Sequence, residues 1–201
     1  MKIFIIRHGE TTGDIENRYG GNYNDHLSAK GIEQSGLAAK TLSNKGIEVI
    51  FSSPLIRAQE TAEIIASKIN CQMITEDDLK ERNQYGILTG MKKEEAKEKY
   101  PREVELLKDR LNTIEGAESY EDFSNRIMAV SRKIIEDSNY KTIAIVSHGG
   151  LFRVLLRDIL KWGELKEIGD CSILELEKVG NNLNYLDASG LVPSFQIPRF
   201  E

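Results

Sequence analysis

At 201 residues and 22.7 kDa, with 40% hydrophobic and 29% charged residues, the chain has the composition of a globular protein, which excludes a disordered or fibrous class. Its formal net charge of −5 argues against nucleic acid or an anionic membrane as the main partner, so any positive patch must be local. The length fits one domain over residues 1–201. With no N-terminal targeting pattern and no run near the ~18 apolar residues of a membrane helix, a cytoplasmic protein is expected.

The apolar run Ile3 to Ile6 predicts a short buried strand that leads directly into Arg7, His8 and Gly9. Ligands of open α/β sheets bind beyond the carboxyl ends of strands, which puts these residues where chemistry is expected. Residues 10–26 are polar and rich in Gly, Asn and Asp, the composition of a ligand-contacting loop. Ser28 then caps a predicted helix with Ile32, Leu37, Ala38, Thr41 and Leu42 at near-helical spacing, ending at Asn44-Lys45-Gly46. Val49 to Phe51 is a second strand. After it Ser53 is a candidate cap and Pro54 a candidate first helical residue, which places Arg57 one turn inside a helix whose apolar face is Ala58, Thr61, Ala62 and Ile65.

Cys71 to Ile74 predicts a third strand. Residues 76–91 form a second loop, and the charge-rich stretch from Lys92 to Arg110, broken by Pro101, predicts two short exposed helices; 76–118 is expected as a lid or side lobe. Ser119 and Asp122 open a helix through Phe123, Ile127, Val130, Ile134 and Ile135. Thr142 to Val146 has the fully apolar pattern of a central parallel strand and ends in Ser147-His148-Gly149-Gly150. An apolar helix over Leu151 to Trp162 follows, then two strands between Ser172 and Leu186 joined at Gly180-Asn181-Asn182; beyond Ser189 the tail has no assignable role. Cys71 and Cys171 lack metal-ligand spacing and are expected as reduced core thiols. Alternating strands and helices predict an α/β fold with a mostly parallel central sheet.

Strand ends thus deliver Arg7, His8, Arg57 and His148, each at a break from apolar to polar, Gly-rich sequence. Two guanidiniums and a second imidazole around a nucleophilic imidazole make a pocket for a tetrahedral dianion, because an Arg fork donates two parallel hydrogen bonds to phosphate oxygens. Neighbouring guanidiniums disfavour the imidazolium and keep His8 nucleophilic.

Five ordered blocks carry a resemblance to the histidine phosphatase superfamily, which includes cofactor-dependent phosphoglycerate mutases. They are Arg7 to Thr11, Leu27 to Gly31, Ser52 to Thr61, Leu79-Lys80-Glu81 and Ser147 to Gly150. The resemblance implies a three-layer α/β/α sandwich of the phosphoglycerate mutase type. It implies a metal-independent, cofactor-free phosphatase in which His8 becomes a phosphohistidine, Arg7, Arg57 and His148 hold the equatorial oxygens, and Glu81 is the general acid and base. Asn17 and Gly149 are further expected substrate contacts, and no metal site is expected.

Two positions depart from the family pattern. Asp14 stands where the family usually has Asn, so Asn17 is the expected replacement. Glu81 lies five residues before Gly86 where four are common, which keeps Asp78 as the alternative acid. The substrate is expected to be a small phosphorylated metabolite. The alternatives are phosphoglycerate mutase-type transfer, disfavoured by the short Glu81–His148 interval, and a non-catalytic phosphate-binding regulator. The oligomeric state, a dimer included, stays open.

Overall fold

The structure is a computed structural model and describes residues 1–194. In chain order its elements are β1 (Lys2–Arg7), α1 (Thr12–Ile15), α2 (Ala29–Leu42), β2 (Val49–Ser52), α3 (Ile56–Ile69), β3 (Gln72–Thr75), α4 (Lys93–Lys99), α5 (Pro101–Leu106), α6 (Tyr120–Asp137), β4 (Thr142–Ser147), α7 (Gly149–Arg153), β5 (Leu165–Val179) and β6 (Asn182–Pro193). The sheet order is β3-β2-β4-β1-β5-β6; the first four strands are mutually parallel and β5 and β6 are antiparallel additions.

Side-chain alternation in the buried strands builds the layers. Ile3 and Ile5 of β1, with Ile143 and Ile145 of β4, pack against Phe123, Ile127, Val130 and Ile134 of α6. Phe4 and Ile6, with Ala144 and Val146, face the other way onto Ala38, Ala39 and Leu42 of α2 and Ala58, Ala62 and Ile65 of α3. The result is the expected α/β/α sandwich. Ile3 to Ile6 are all 2% exposed or less, so each contributes roughly 1.5–3 kcal/mol of burial to holding the sheet's centre, beside the site. A small separate cluster of Leu88, Ala96 and Ile114 supports residues 76–118, which carry 3-10 turns at Asp77–Leu79 and Gly86–Leu88 besides the two expected short helices.

Several sequence expectations need correction. Ile32 and Leu37 are each 54% exposed; α2 instead turns its small residues Gly31, Ser35, Ala38 and Ala39 inward, because it packs closely on α3 and on the chain just past β1, where a Cβ on Gly31 would stand 2.1 Å from Glu10 O. Helix α3 starts at Ile56, with Leu55 at its N-cap and no side-chain cap, so Arg57 is its second residue. The apolar helix from Leu151 is shorter than expected, α-helical only over Gly149–Arg153 before a π-helical stretch at Val154–Ile159. The two final strands run longer than Ser172 to Leu186 and include Ser189 to Pro193; residues 195–201 lie outside the described part. Both cysteines are free, but half-buried rather than core. Among the described residues no helix is long and apolar enough to cross a membrane.

Candidate active site

Three adjacent parallel strands end at one edge of the sheet, and their register brings the site together. Arg7 of β1 pairs with Ser147 of β4, and His8 N–H continues the ladder to Ser147 O at 3.1 Å. Ser53, just past β2, donates its N–H to Val146 O at 3.0 Å. His8, His148 and Ser53 are therefore neighbours although nearly 140 residues separate the two histidines in the chain. Their ring centroids lie 5.1 Å apart. Gly9 lets the chain turn here against α2, since a Cβ on it would stand 2.6 Å from Gly31 O.

The hydrogen bonds of His8 define its tautomer. Nδ1 lies 2.8 Å from Gly9 O, and a carbonyl only accepts, so Nδ1 carries the proton. Nε2 then presents a lone pair, which accepts from Nε–H of Arg57 at 3.1 Å. Burial, and after it the charges of Arg57 and Arg7, hold the His8 pKa well below the ordinary histidine value, leaving the imidazole neutral. His148 is lowered in the same way, by burial first and then by Arg57. Its Nε2 shares a 2.7 Å hydrogen bond with Ser53 Oγ, which also accepts from Leu55 N–H at 3.3 Å, just before α3 begins. Nδ1 of His148 is buried with no partner among the described residues.

Arg57 is 4% exposed and held from several directions. It donates to His8 Nε2, to Tyr23 O at 2.5 Å, to Asp25 Oδ1 at 2.9 Å and to Gly21 O at 2.7 Å. Asp25 is equally buried, and its other oxygen accepts from Gly13 N at 3.2 Å, so it fixes the 10–26 loop over the guanidinium. Arg7 is more open: it donates to Ile168 O at 2.5 Å and pairs with Asp170 at 3.2 Å. Both partners come from the irregular middle of β5, where the pairing with β6 shifts between Ile168 and Ile173.

Glu81 accepts from Gly150 N at 3.0 Å and from Arg82 N at 2.8 Å, which seats its carboxylate at the start of α7. Gly150 is required there, because a Cβ would meet Glu81 Oε1 at 2.2 Å and Phe123 Cζ at 2.6 Å. The extra residue before Gly86 does not displace Glu81 from the site.

Arg7, His8, Arg57, Glu81 and Gly149 all line one cavity of about 640 Å³. Of the described residues lining it, nine are Arg or Lys and four are Asp or Glu, so an acidic chain encloses a locally positive cavity. Among the described residues no three His, Cys, Asp or Glu side chains gather as a metal-ligand set.

Asn17 is not among the lining residues. It follows α1 in the left-handed region at φ +52, exposed, a conformation that Asn tolerates and that directs the chain out of the helix. Asp14 lines the cavity, but its Oδ2 accepts from the N–H and hydroxyl of Thr11 at 2.9 and 2.8 Å and closes a capping box on α1. Asp78 is exposed and outside the lining. Ser53, expected as a helix cap, holds His148. Sequence reasoning missed Asp25 and Asp170, which hold Arg57 and Arg7, and the cavity arginines Arg153 and Arg157. No local motif marks them; only the strand ends carry a readable signal.

The sequence profile of the Histidine phosphatase superfamily (branch 1) matches residues 3–184. The chain is 33% identical to "Phosphoserine phosphatase 1" of Hydrogenobacter thermophilus over 150 residues, 74% of this chain and 71% of that protein. It is 32% identical to "Probable phosphoglycerate mutase GpmB" of Yersinia pestis over 165 residues, 80% and 75% of the two chains. Among solved structures, YhfR of Bacillus stearothermophilus superposes with a TM-score of 0.83 at 22% identity, covering 92% of this chain and 94% of that one, a likeness of fold.

Proposed function

The chain belongs to branch 1 of the histidine phosphatase superfamily, and from that premise we propose that it is a phosphoric monoester hydrolase that works through a phosphohistidine on His8 without a metal. The observation that carries this reading is the proton-free Nε2 of His8, whose lone pair meets only the Arg57 N–H among the described residues, in a cavity with excess positive charge. Similarity to a phosphoserine phosphatase supports hydrolysis.

In this mechanism the phosphoryl group displaces the Arg57 Nε–H from His8 Nε2. That N–H turns to a phosphoryl oxygen, while the Nε2 lone pair forms the N–P bond and the P–O ester bond breaks. Arg7, with three N–H groups that have no acceptor among the described residues, offers a fork to two further oxygens. Nδ1–H of His148, in the tautomer where Ser53 donates to Nε2, supplies another donor whose burial without a partner would otherwise cost about 1–3 kcal/mol. Preplaced cations stabilise the charge spread over the transferring group, the role a metal plays elsewhere. Glu81 gives its proton to the leaving alkoxide. As a carboxylate it then takes a proton from the water that attacks phosphorus, the N–P bond breaks, and orthophosphate leaves. Residues 76–118 act as a side lobe that supplies the leaving-group wall of the cavity.

Incubation with p-nitrophenyl phosphate in excess chelator tests the proposal: product release is expected, and its absence at any accessible enzyme concentration overturns it. Similarity to a protein named as a probable mutase carries a second reading, phosphoryl transfer. Isomerisation of 3-phosphoglycerate outpacing phosphate release would favour that reading.

A further inference from the structure

Glu81 has to meet a leaving oxygen, yet it stands in no helix or strand, between the 3-10 turns at Asp77–Leu79 and Gly86–Leu88. A loop carboxylate keeps a catalytic geometry only when its neighbours fix the backbone, because a misplacement of about 1 Å can cost about 100-fold in rate. The carbonyls of the three residues before Glu81 are all bound by side chains. Arg126 of α6 donates through Nη1 to Asp78 O at 2.7 Å and to Lys80 O at 3.0 Å, and Ser147 Oγ, at the end of β4, donates to Leu79 O at 2.8 Å. Leu79 itself is fully buried, in one core cluster with Phe123.

The chain after Glu81 is held by the partner of Arg126. Nε and Nη2 of Arg126 fork onto the two carboxylate oxygens of Glu118 at 3.0 and 2.9 Å, and that carboxylate also accepts from Asn83 N–H at 3.3 Å. The Glu118 backbone completes the grip: its N–H donates to Asn83 O at 2.9 Å and its carbonyl accepts from Arg82 Nε–H at 3.0 Å. One ion pair therefore holds residues 78 and 80 on one side of Glu81 and residues 82 and 83 on the other. Neither Arg126 nor Glu118 lines the cavity, and four of the five Arg126 N–H groups are committed to these acceptors. The guanidinium also stands 5.2 Å from the centre of the Phe123 ring, and Phe123 backs Gly150, whose N–H is one of the two that hold the Glu81 carboxylate.

We propose that Arg126 and Glu118 are positioning residues of the reaction, an ion pair outside the cavity that aims Glu81 at the leaving oxygen. The role rests on the phosphatase reading, in which Glu81 is the general acid. A brace of the fold alone is indifferent to the leaving group. A brace of the acid matters only as far as the leaving oxygen needs a proton.

That difference is the test. Arg126→Met keeps an apolar stem over Phe123 and removes every donor. It should lower kcat for alkyl phosphates by about 10- to 100-fold with little change in KM, and lower p-nitrophenyl phosphate turnover far less. Added to Glu81→Gln, the same substitution should cost alkyl phosphates nothing further, because two residues acting through one group are not additive. Glu118→Gln leaves an acceptor oxygen for Arg126 and should show the same selectivity at smaller size; it decides the matter if circular dichroism shows Arg126→Met unfolded. Equal losses for alkyl and p-nitrophenyl phosphates, or a full further loss on top of Glu81→Gln, overturn the positioning role while the phosphatase reading survives. Failure of both variants to fold assigns the pair to stability and overturns the role as well. If Glu81→Gln by itself is blind to the leaving group, or no phosphomonoester is hydrolysed by the unmodified protein, the underlying reading has failed and the role falls with it.

Discussion

His8, Arg57 and His148 stand on or beside three adjacent strand ends and are 5%, 4% and 1% exposed, whereas Arg110 reaches the same cavity from an exposed loop. The first group is fixed by sheet register: Arg7 opposite Ser147 and Ser52 opposite Val146 leave the following residues no other place to go. Buried Asp25 then holds the Arg57 guanidinium, and Ser53 holds the His148 ring. The second group hangs on the small Leu88–Ala96–Ile114 cluster and on backbone carbonyls. A rigid floor suits chemistry common to all phosphomonoesters, because donors aimed in advance need no reorganisation during transfer. A wall built from loops can change without disturbing that floor, and suits the choice of leaving group.

Substitutions separate the two regions by the size and kind of their effects. His8→Ala should lower turnover of every substrate by about 10⁴-fold or more, measured by phosphate release; a loss confined to some substrates would break the distinction between floor and wall. Glu81→Gln, at the boundary, should cost about 10²- to 10⁴-fold with alkyl phosphates and much less with p-nitrophenyl phosphate, whose leaving group needs no proton. Equal losses for both would assign the acid elsewhere.

Asp25→Ala tests the floor's rigidity directly. It strands Arg57 as a buried unpaired charge, so urea unfolding should report a loss of about 3–5 kcal/mol, several times that of removing the exposed Lys99–Glu95 pair. Similar losses for the two would mean that burial at the floor is not what secures it.

The smallest effect comes from pH. Burial, then Arg57, keeps the folded-state pKa of both histidines well below the unfolded value of about 6.5. Above that value neither state binds the proton and stability is unaffected. Below it the unfolded chain takes up protons that the folded chain refuses, so stability falls as pH drops toward the folded pKa. Thermal midpoints should therefore decline from pH 7 to pH 5, with a shallower slope in His148→Gln. The acid limb of kcat/KM should lie below 6.5 rather than at it. A midpoint that rises on acidification would contradict the neutral assignment of the two rings.

The sequence was readable where one short pattern fixes geometry. An apolar run of four residues followed by Arg-His-Gly reads as a buried strand opening onto a turn, and the Ile143 to Val146 run repeats the logic at His148. The sequence puts Arg57 on the right helix but two residues too deep: Ser53 binds Leu55 N–H and the His148 ring, a partner 95 residues away, and the helix begins only at Ile56. Asp25 and Asp170 were invisible for the same reason, since each acts on an arginine brought near by register alone. Ile32 and Leu37 misled through composition: helical spacing ranked them as core, while packing against the sheet required the small residues one step around the helix. Asn17, the expected substitute for Asp14, has a local role instead, its left-handed backbone ending α1.

In the proposed mechanism the Nε2 lone pair of His8 receives the phosphorus. Rapid mixing with radiolabelled substrate, alkaline quench and peptide mapping measures this directly. A base-stable, acid-labile phosphoryl label on the peptide containing His8, absent from His8→Ala, is the predicted result. An undiminished label in His8→Ala, or turnover with no covalent phosphoenzyme at any quench time, would contradict it.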